Sequence, residues 1–175
     1  MATTNWVIDP THSEIHFKVK HMMVSTVTGA FDTFEGKATA QDDDFENGTF
    51  SFTAKTASIN TKIADRDAHL KSDDFFNAEQ YPDLTFTSTA FIKDGDDFKL
   101  KGHLTIRDKT HEVELNVAHD GVAVDPYGQT KAGFELSGKI NRKDFGLQWG
   151  AVTEAGNVVV SDTVKLDLNI QLVKQ

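Results

Sequence analysis

Side chains that could do acid–base chemistry are concentrated in residues 62–80, the one stretch that does not alternate like a β-strand. Asp67 and His69 lie there two positions apart. Residues two apart on a helix point in different directions, so these two do not form a natural acid–base pair. The sequence has no cysteine and no Gly-x-Ser-x-Gly element that would position a serine nucleophile. No catalytic residue is predicted, and the chain is not expected to be an enzyme.

Seven histidines raise the question of a metal site, because His12, His16 and His21 lie close together in the sequence. His16 and His21 have opposite parity on an alternating strand, so they face opposite sides of the sheet and cannot share an ion. No metal site is predicted. His21 continues the apolar row of Phe17 and Val19, which makes it either a hydrogen-bonded core histidine or a residue that contacts a ligand.

The arginines of the chain are Arg66, Arg107 and Arg142. A guanidinium group can hold a phosphate through a forked pair of hydrogen bonds, or it can pin a carboxylate of the protein itself. Sequence spacing does not decide between these roles, and both stay open. Glycine-rich nucleotide-binding loops are absent from the sequence.

The elements around these residues are short runs that alternate apolar and polar side chains, which is typical of antiparallel strands with one wet face. In the clearest run, Val164, Leu166 and Leu168 alternate with lysine, aspartate and asparagine. Similar runs occupy residues 14–22, 28–40, 49–54, 84–91, 98–106, 113–117 and 132–140. About eight strands predict an all-β fold, a single elongated antiparallel β-barrel, because closure removes exposed sheet edges. A two-sheet sandwich stays open as the alternative.

The alternation of apolar and polar residues is interrupted at three places, where a bend, a turn and a helix are predicted. Phe31 and Phe34 are three apart rather than two, so a bend is predicted between them. Asn47-Gly48 is a strong turn signal and is predicted to connect two strands. Residues 62–80 have helical spacing and are predicted to form one short helical insert across the end of the barrel, with Asp65 as its N-cap.

The composition favours one domain over residues 1–175 with a large aromatic interior. Its 13 phenylalanines could pack a solid core or line an apolar cavity. The net charge of -9 opposes binding to nucleic acids and to anionic membrane surfaces. No stretch approaches the roughly 20 apolar residues of a membrane helix. The N-terminus has no basic start followed by an apolar run, so a cytoplasmic location is expected, or a periplasmic one if a leader was removed.

A series of short motifs follows in a fixed order along the whole chain. They include Ile8-Asp9-Pro10, Thr28-Gly29-Ala30-Phe31, Asp67-Ala68-His69-Leu70, Asp74-Phe75-Phe76, Tyr81-Pro82 and Asn141-Arg142 with Asp144-Phe145-Gly146. In their order and spacing, from Trp6 to the last strand, the chain resembles the YceI-like family of polyisoprenoid-binding, lipocalin-like proteins. The resemblance implies a lipocalin-like barrel that binds, transports or stores a long isoprenoid lipid, of the prenyl quinone or prenyl phosphate type. It also implies a homodimer.

This resemblance makes the inward phenylalanines candidates for a tunnel wall and the helical insert a candidate mouth. The candidate wall residues are Phe17, Val19, Phe31, Phe34, Phe86, Leu104, Ile106, Phe134, Phe145 and Trp149. The candidate residues of the mouth or head-group site are His21, Asp67, His69 and Arg142. A bound isoprenoid lipid is expected, and no catalytic cofactor. Two alternatives stay open: an enzyme acting on an apolar substrate, and a solid-cored barrel that acts through a protein partner.

Overall fold

The computed structural model describes residues 3–22, 24–42, 44–147 and 160–175, which form eleven strands and one α-helix. The strands are β1 (Thr3–Ile8), β2 (Glu14–His21), β3 (Ser25–Phe31), β4 (Phe34–Gln41), β5 (Asp44–Lys55), β6 (Ile59–Asn60), β7 (Asp83–Asp94), β8 (Asp97–Ile106), β9 (Lys109–Val124), β10 (Thr130–Asn141) and β11 (Val160–Lys174). The helix is α1 (Ala64–Lys71), and short 3-10 turns occupy Pro10–His12, Thr56–Ser58 and Arg142–Phe145. None of the helices in these ranges is long and apolar enough to cross a membrane.

The strands form one antiparallel sheet that closes on itself. Its order runs β1-β4-β5-β7-β8-β9-β10-β11, and β11 returns to pair with β1. After the turn at Pro10–His12, β2 continues β1 and pairs with the other half of β11, while β3 pairs with β2 and leads into β4. The closed ring therefore has eight strand positions. The predicted antiparallel barrel of about eight strands is confirmed, and the sandwich alternative is set aside.

A bend between Phe31 and Phe34 separates β3 from β4, as the spacing of the two phenylalanines predicted. Just before this bend, β3 passes close to the side chain of Phe17. A Cβ atom on residue Gly29 would lie 2.2 Å from the Phe17 ring. Glycine leaves room for that ring, and a larger residue at position 29 would displace the Phe17 ring from where it lies.

Strand connections define two ends of the barrel. The β4–β5, β7–β8 and β9–β10 hairpins lie at one end. We call it the aromatic end, because Trp6, Phe45 and Phe91 lie close to it in the strand register. The β2–β3 and β8–β9 hairpins, α1 and the turn at Arg142–Phe145 lie at the opposite end, which we call the helical end.

The helical insert contains less helix than the predicted range of 62–80. Helix α1 spans only Ala64–Lys71, and turns follow it. Its N-cap is Ile63, without a side-chain cap, so the prediction of Asp65 as the N-cap is wrong. Lys62 has a positive φ of 71° and Ile63 has an extended backbone, so the first helical residue is Ala64, which precedes Asp65. Asp65 lies in the first turn instead, where a carboxylate interacts favourably with the helix dipole.

The prediction of a connecting turn at Asn47-Gly48 is also wrong, because this pair lies inside β5. The β4–β5 connection falls between Gln41 and Asp44. Asn47 has a positive φ of 64°, and the pairing shifts register between Thr39 and Gln41. The pair thus forms a bulge in a continuous strand. A bulge and a hairpin turn both favour a residue with left-handed backbone angles. The Asn-Gly pair is therefore compatible with either, and the sequence alone placed the hairpin at the wrong position.

A network of charged side chains links the turn between β1 and β2 to strand β10 of the barrel. Asp9 accepts hydrogen bonds from the Thr11 backbone N–H at 3.0 Å and hydroxyl at 2.6 Å. Lys131 Nζ lies 3.0 Å from the other carboxylate oxygen of Asp9 and 3.5 Å from Asp125. The Thr11 hydroxyl, with further hydrogen bonds from His12 and Lys131, holds the pKa of Asp9 well below its usual range.

We expect Asp9→Asn to lower the free energy of unfolding by about 1–2 kcal/mol at pH 7, because charge-assisted hydrogen bonds are lost at a side chain that keeps contact with water. A carboxylate whose pKa is lowered by folding stabilises the fold above its unfolded pKa and loses that effect as the pH falls. In urea denaturation, the gap between wild type and variant should therefore begin to narrow below about pH 4, near the unfolded pKa, and narrow further as the pH falls towards the lower folded pKa. Asp96→Asn, at a hairpin tip, is the control. A gap that does not change with pH would contradict this role of Asp9.

Candidate functional site

The barrel encloses a cavity of about 360 Å³, a size typical of small-molecule sites. Its wall is built from the inward rows of the strands, and β11 contributes Val164, Leu166, Leu168 and Ile170. These side chains point into the barrel and yet are only half-buried, because they face a void rather than other side chains. The phenylalanine-rich interior is therefore not a solid core.

Packed rings fill the aromatic end of the cavity. The Phe45 ring centroid lies 5.0 Å from those of both Trp6 and Phe134. Phe91 stacks on Phe98, with 4.6 Å between the ring centroids. Trp6, Phe45 and Phe91 are exposed by only 1%, 2% and 1%. Because these rings have almost no contact with water, the cavity is blind at this end.

His119 belongs to the same ring cluster. Its ring centroid lies 4.5 Å from that of Phe134 and 5.4 Å from that of Phe45. The Nε2 atom is buried and has no hydrogen-bond partner in the part of the chain that the structure describes. Burial lowers the pKa of His119, so the imidazole is neutral at pH 7. A neutral ring suits the apolar packing of this end, at the cost of one unsatisfied nitrogen.

Most polar residues of the wall lie at the helical end. Helix α1 contributes Arg66 and His69, and His21 at the end of β2 lies opposite Val160 at the start of β11. The wall residues that are not apolar are Lys20, His21, Lys37, Ser51, Thr61, Arg66, His69 and Arg142. No aspartate or glutamate lines the described wall, although the chain has 27 acidic and 18 basic residues. The ionisable groups of this wall are therefore all basic.

The structure places most of the predicted wall residues on the cavity wall. These are Phe17, Val19, Phe31, Phe86, Leu104, Ile106 and Phe134. Phe34 is not among them, because beyond the bend it packs against Phe52 at 6.1 Å and lines a separate surface groove. Phe145 is not among them either, since it lies in the turn after β10 and packs edge-on against His111 at 5.2 Å. Trp149 lies outside the described residues.

Of the predicted mouth residues, His21, His69 and Arg142 lie on the cavity wall and Asp67 does not. The Asp67 carboxylate accepts hydrogen bonds from the Thr61 N–H at 2.8 Å and from its hydroxyl at 2.5 Å, which turn it towards the loop before α1. His69 Nε2 instead lies 2.8 Å from Asp74. Asp67 and His69 therefore have separate partners and do not form an acid–base pair. No three His, Asp or Glu side chains of the described ranges are grouped so that they could hold a metal ion.

Arg142 joins the turn after β10 to the start of β11. Its guanidinium group donates to the carbonyl oxygens of Leu147 at 2.6 Å, Ser161 at 2.9 Å and Val160 at 3.3 Å. It also lies 3.7 Å from the Asp162 carboxylate. Burial lowers the pKa of Arg142, and its exposed fraction is only 3%. These contacts give Arg142 a structural role at the helical end.

Sequence reasoning left Arg66 and the aliphatic row of β11 out of the candidate site. In both cases the sequence contains a spacing that could have indicated these residues. Arg66, His69 and Leu70 have the three- and four-residue spacings of one helix face, and all three line the cavity. The inward row of β11 was visible in its alternation, but an aliphatic row does not by itself indicate a cavity.

Comparison with known proteins places the chain in a family. The family model of the YceI-like domain matches residues 6–172. The Escherichia coli protein YceI is 37% identical over 94% of this chain and 83% of its own length. A Campylobacter jejuni YceI protein of known crystal structure is 34% identical with a TM-score of 0.76, covering 90% of this chain and 91% of that one.

A likeness of fold extends to more distant proteins. A polyisoprenoid-binding domain from Saccharophagus degradans has a TM-score of 0.69 at 18% identity, covering 97% of this chain and 98% of that one. At that identity the likeness shows a shared fold. The family match, by contrast, spans nearly the whole chain, and relatives in it are more than a third identical. The chain belongs to the YceI-like family.

Proposed function

We propose that this protein binds a long isoprenoid lipid, of the prenyl quinone or prenyl phosphate type, in order to carry or store it. The observation behind the proposal is the apolar cavity, which is blind at the aromatic end and bordered by polar groups at the helical end. A lipid tail suits such a wall, because it has no polar group along its length that would need a partner. The family assignment and the fold shared with a polyisoprenoid-binding domain support the same conclusion.

The proposed orientation follows from the two ends of the cavity. The tail lies along the inward rows that include Phe17, Phe86 and Leu168 and points towards the aromatic end. The head group lies at the helical end, beside His21 and His69. In this proposal the lipid is the only bound group, and no catalytic cofactor or chemical step on the lipid is involved.

Burial of the tail is sufficient for tight binding. The upper limit for a fully buried tail of roughly forty carbons, at about -0.3 kcal/mol per non-hydrogen atom, is about -12 kcal/mol, which corresponds to nanomolar affinity. Contacts at the helical end then determine the orientation of the lipid and the choice of head group. They contribute less to the affinity than the tail does.

The proposal is tested by lipid uptake. Protein stripped of ligand is mixed with vesicles that contain a radiolabelled prenyl alcohol of about forty carbons, and the label bound to the protein is measured after the vesicles are removed. We expect one lipid per barrel at saturation, and much weaker binding of a prenyl alcohol of about ten carbons, which buries less apolar surface. Binding no greater than that of heat-unfolded protein would contradict the proposal.

A further inference from the structure

The β2–β3 hairpin carries exposed apolar side chains at its tip. Val24 is 85% exposed and Met22 is 40% exposed. Ile63, directly before α1 at the same end of the barrel, is 51% exposed. Apolar side chains of this size are more stable when they are removed from water. Their exposure at the helical end therefore indicates a surface that contacts an apolar partner.

The same hairpin leads from its exposed tip to the cavity. Val19 of β2 and Val27 of β3 are register partners, and both line the cavity wall. On its other side β3 pairs with β6 only at Ala30 and Phe31. From residue 25 to residue 29, the outer edge of β3 has no strand partner in the described part of the chain. A partner that covers the tip would therefore lie next to the cavity wall.

Charge distinguishes the two ends of the barrel. Seven acidic residues and no basic one occupy the hairpin connections of the aromatic end, at residues 41–44, 94–97 and 124–130. Seven acidic and seven basic residues occupy the segments of the helical end, at residues 21–25, 61–82, 106–109 and 142–145. Much of the net charge of -9 thus lies at the aromatic end. An anionic surface repels that end and leaves the helical end facing it.

The distance between the two ends separates their electrostatic effects. Strand β8 connects the ends through ten residues, which correspond to roughly 30 Å of extended chain. The Debye length at physiological ionic strength is only about 8 Å. The carboxylates of the aromatic end are therefore screened from a surface that touches the helical end.

Two lysines accompany the exposed apolar residues. Lys20 lies on the hairpin and donates from Nζ to the Thr26 hydroxyl at 3.0 Å. Lys62 directly precedes Ile63 and is exposed. Neither lysine pairs with a carboxylate within the described ranges, unlike Lys18, which lies 3.7 Å from that of Asp167. Lysines beside apolar side chains suit the boundary between lipid head groups and acyl chains.

We propose that the helical end docks on a lipid bilayer that contains anionic lipids, with Met22, Val24 and Ile63 inserted among the head groups. The apolar side chains gain burial there, and Lys20 and Lys62 interact with the anionic lipids. The docked hairpin brings the cavity wall to the bilayer surface, where a lipid can pass between the two. This inference goes beyond the proposed function, because docking itself requires no bound ligand.

Sedimentation with vesicles tests the docking. Ligand-free protein is mixed with vesicles of phosphatidylcholine and about one-fifth phosphatidylglycerol, without any isoprenoid, and the protein in the pellet is measured. We expect the wild type to sediment with the vesicles. Val24→Asp should weaken this binding by at least about tenfold, which corresponds to about 1.4 kcal/mol. Val124→Asp is the matched control, because it makes the same change at a 66% exposed valine of the aromatic end, and it should bind as the wild type does.

A fluorescent label reports docking without a disruptive substitution. The chain has no cysteine, so Val24→Cys and Val124→Cys each provide a single site for an environment-sensitive NBD dye. On addition of the same vesicles, the emission of the dye at position 24 should shift to shorter wavelength, and that of the dye at position 124 should not. A shift at neither position, or an equal shift at both, would overturn the proposal. This measurement decides the question even if Val24→Asp does not fold.

A second copy of the chain is the competing partner for this surface. If the wild type does not bind vesicles but self-associates, and Val24→Asp is monomeric, the tip is a protein interface and the membrane proposal is wrong. Equal sedimentation of wild type and folded Val24→Asp would overturn it as well.

Delivery of a prenyl alcohol from cyclodextrin separates docking from cargo binding. Without a bilayer, Val24→Asp should take up the alcohol as the wild type does, because Val24 is not part of the cavity wall. From vesicles that contain the alcohol, its uptake should be at least about tenfold slower than that of the wild type, in proportion to the lost docking. Failure of the wild type to take up the alcohol from cyclodextrin would overturn the proposed function, whereas equal rates of uptake from vesicles would overturn only the role of docking in transfer.

Discussion

Leu168→Trp is expected to lower the affinity for a prenyl alcohol of about forty carbons by at least about tenfold without unfolding the protein. Leu168 lies on the cavity wall between its register partners Ile15 and Leu136, and it is only half-buried. A larger side chain can therefore extend into the void instead of displacing its neighbours. If the indole replaces about two methylene groups of the tail, each worth about 0.8 kcal/mol, the tenfold loss follows.

The vesicle-uptake assay measures this effect with a matched control on the same strand. Asn169 is the next residue of β11 and is exposed, so Asn169→Trp should bind lipid as the wild type does. Thermal melting establishes that both variants are folded. Unchanged uptake of the long lipid by a folded Leu168→Trp variant would show that the cavity is not the site of the tail.

Phe45→Ala is expected to reduce the free energy of unfolding by about 3–5 kcal/mol, as is typical of a large ring removed from a packed core. Phe45 is 2% exposed, and its ring contacts those of Trp6, Phe134 and His119. The truncation leaves a hole among these rings that their strands prevent from closing. Phe45 is absent from the cavity wall, so the loss should be as large in protein stripped of ligand as in loaded protein.

Urea denaturation of ligand-free protein measures this loss. Tyr127→Ala is the control, since Tyr127 is 89% exposed near the tip of the β9–β10 hairpin and its removal should change stability by less than about 0.5 kcal/mol. A loss below about 1 kcal/mol for Phe45→Ala would mean that the aromatic end is loosely packed and does not close the barrel.

The barrel could be predicted from sequence because one face of each strand must be buried, which leaves a period of two in the hydrophobic pattern. That period located β11, and its break between Phe31 and Phe34 located the bend between β3 and β4. Local turn signals were less reliable. The Asn-Gly pair favours a left-handed backbone, and Asn47 has one. This conformation occurs in a bulge inside β5, however, and not in a hairpin turn.

The candidate site was only partly predictable, because strand parity shows which side chains point inward and not what they meet there. Phe17 faces the void, whereas Phe34, of the same residue type, packs against Phe52. Asp67 has a partner six positions earlier in the chain, Thr61, and this contact turns it away from the cavity.

The mass of the protein as purified tests most directly whether the cavity is a lipid site. A native mass spectrum of the intact protein is recorded beside a mass spectrum of its organic-solvent extract. We expect the intact protein to be heavier than the bare chain by the mass of one prenyl lipid, and the extract to contain that same lipid. A native mass equal to that of the chain alone, in a protein that also fails to take up prenyl alcohols and prenyl phosphates, would contradict the proposed function.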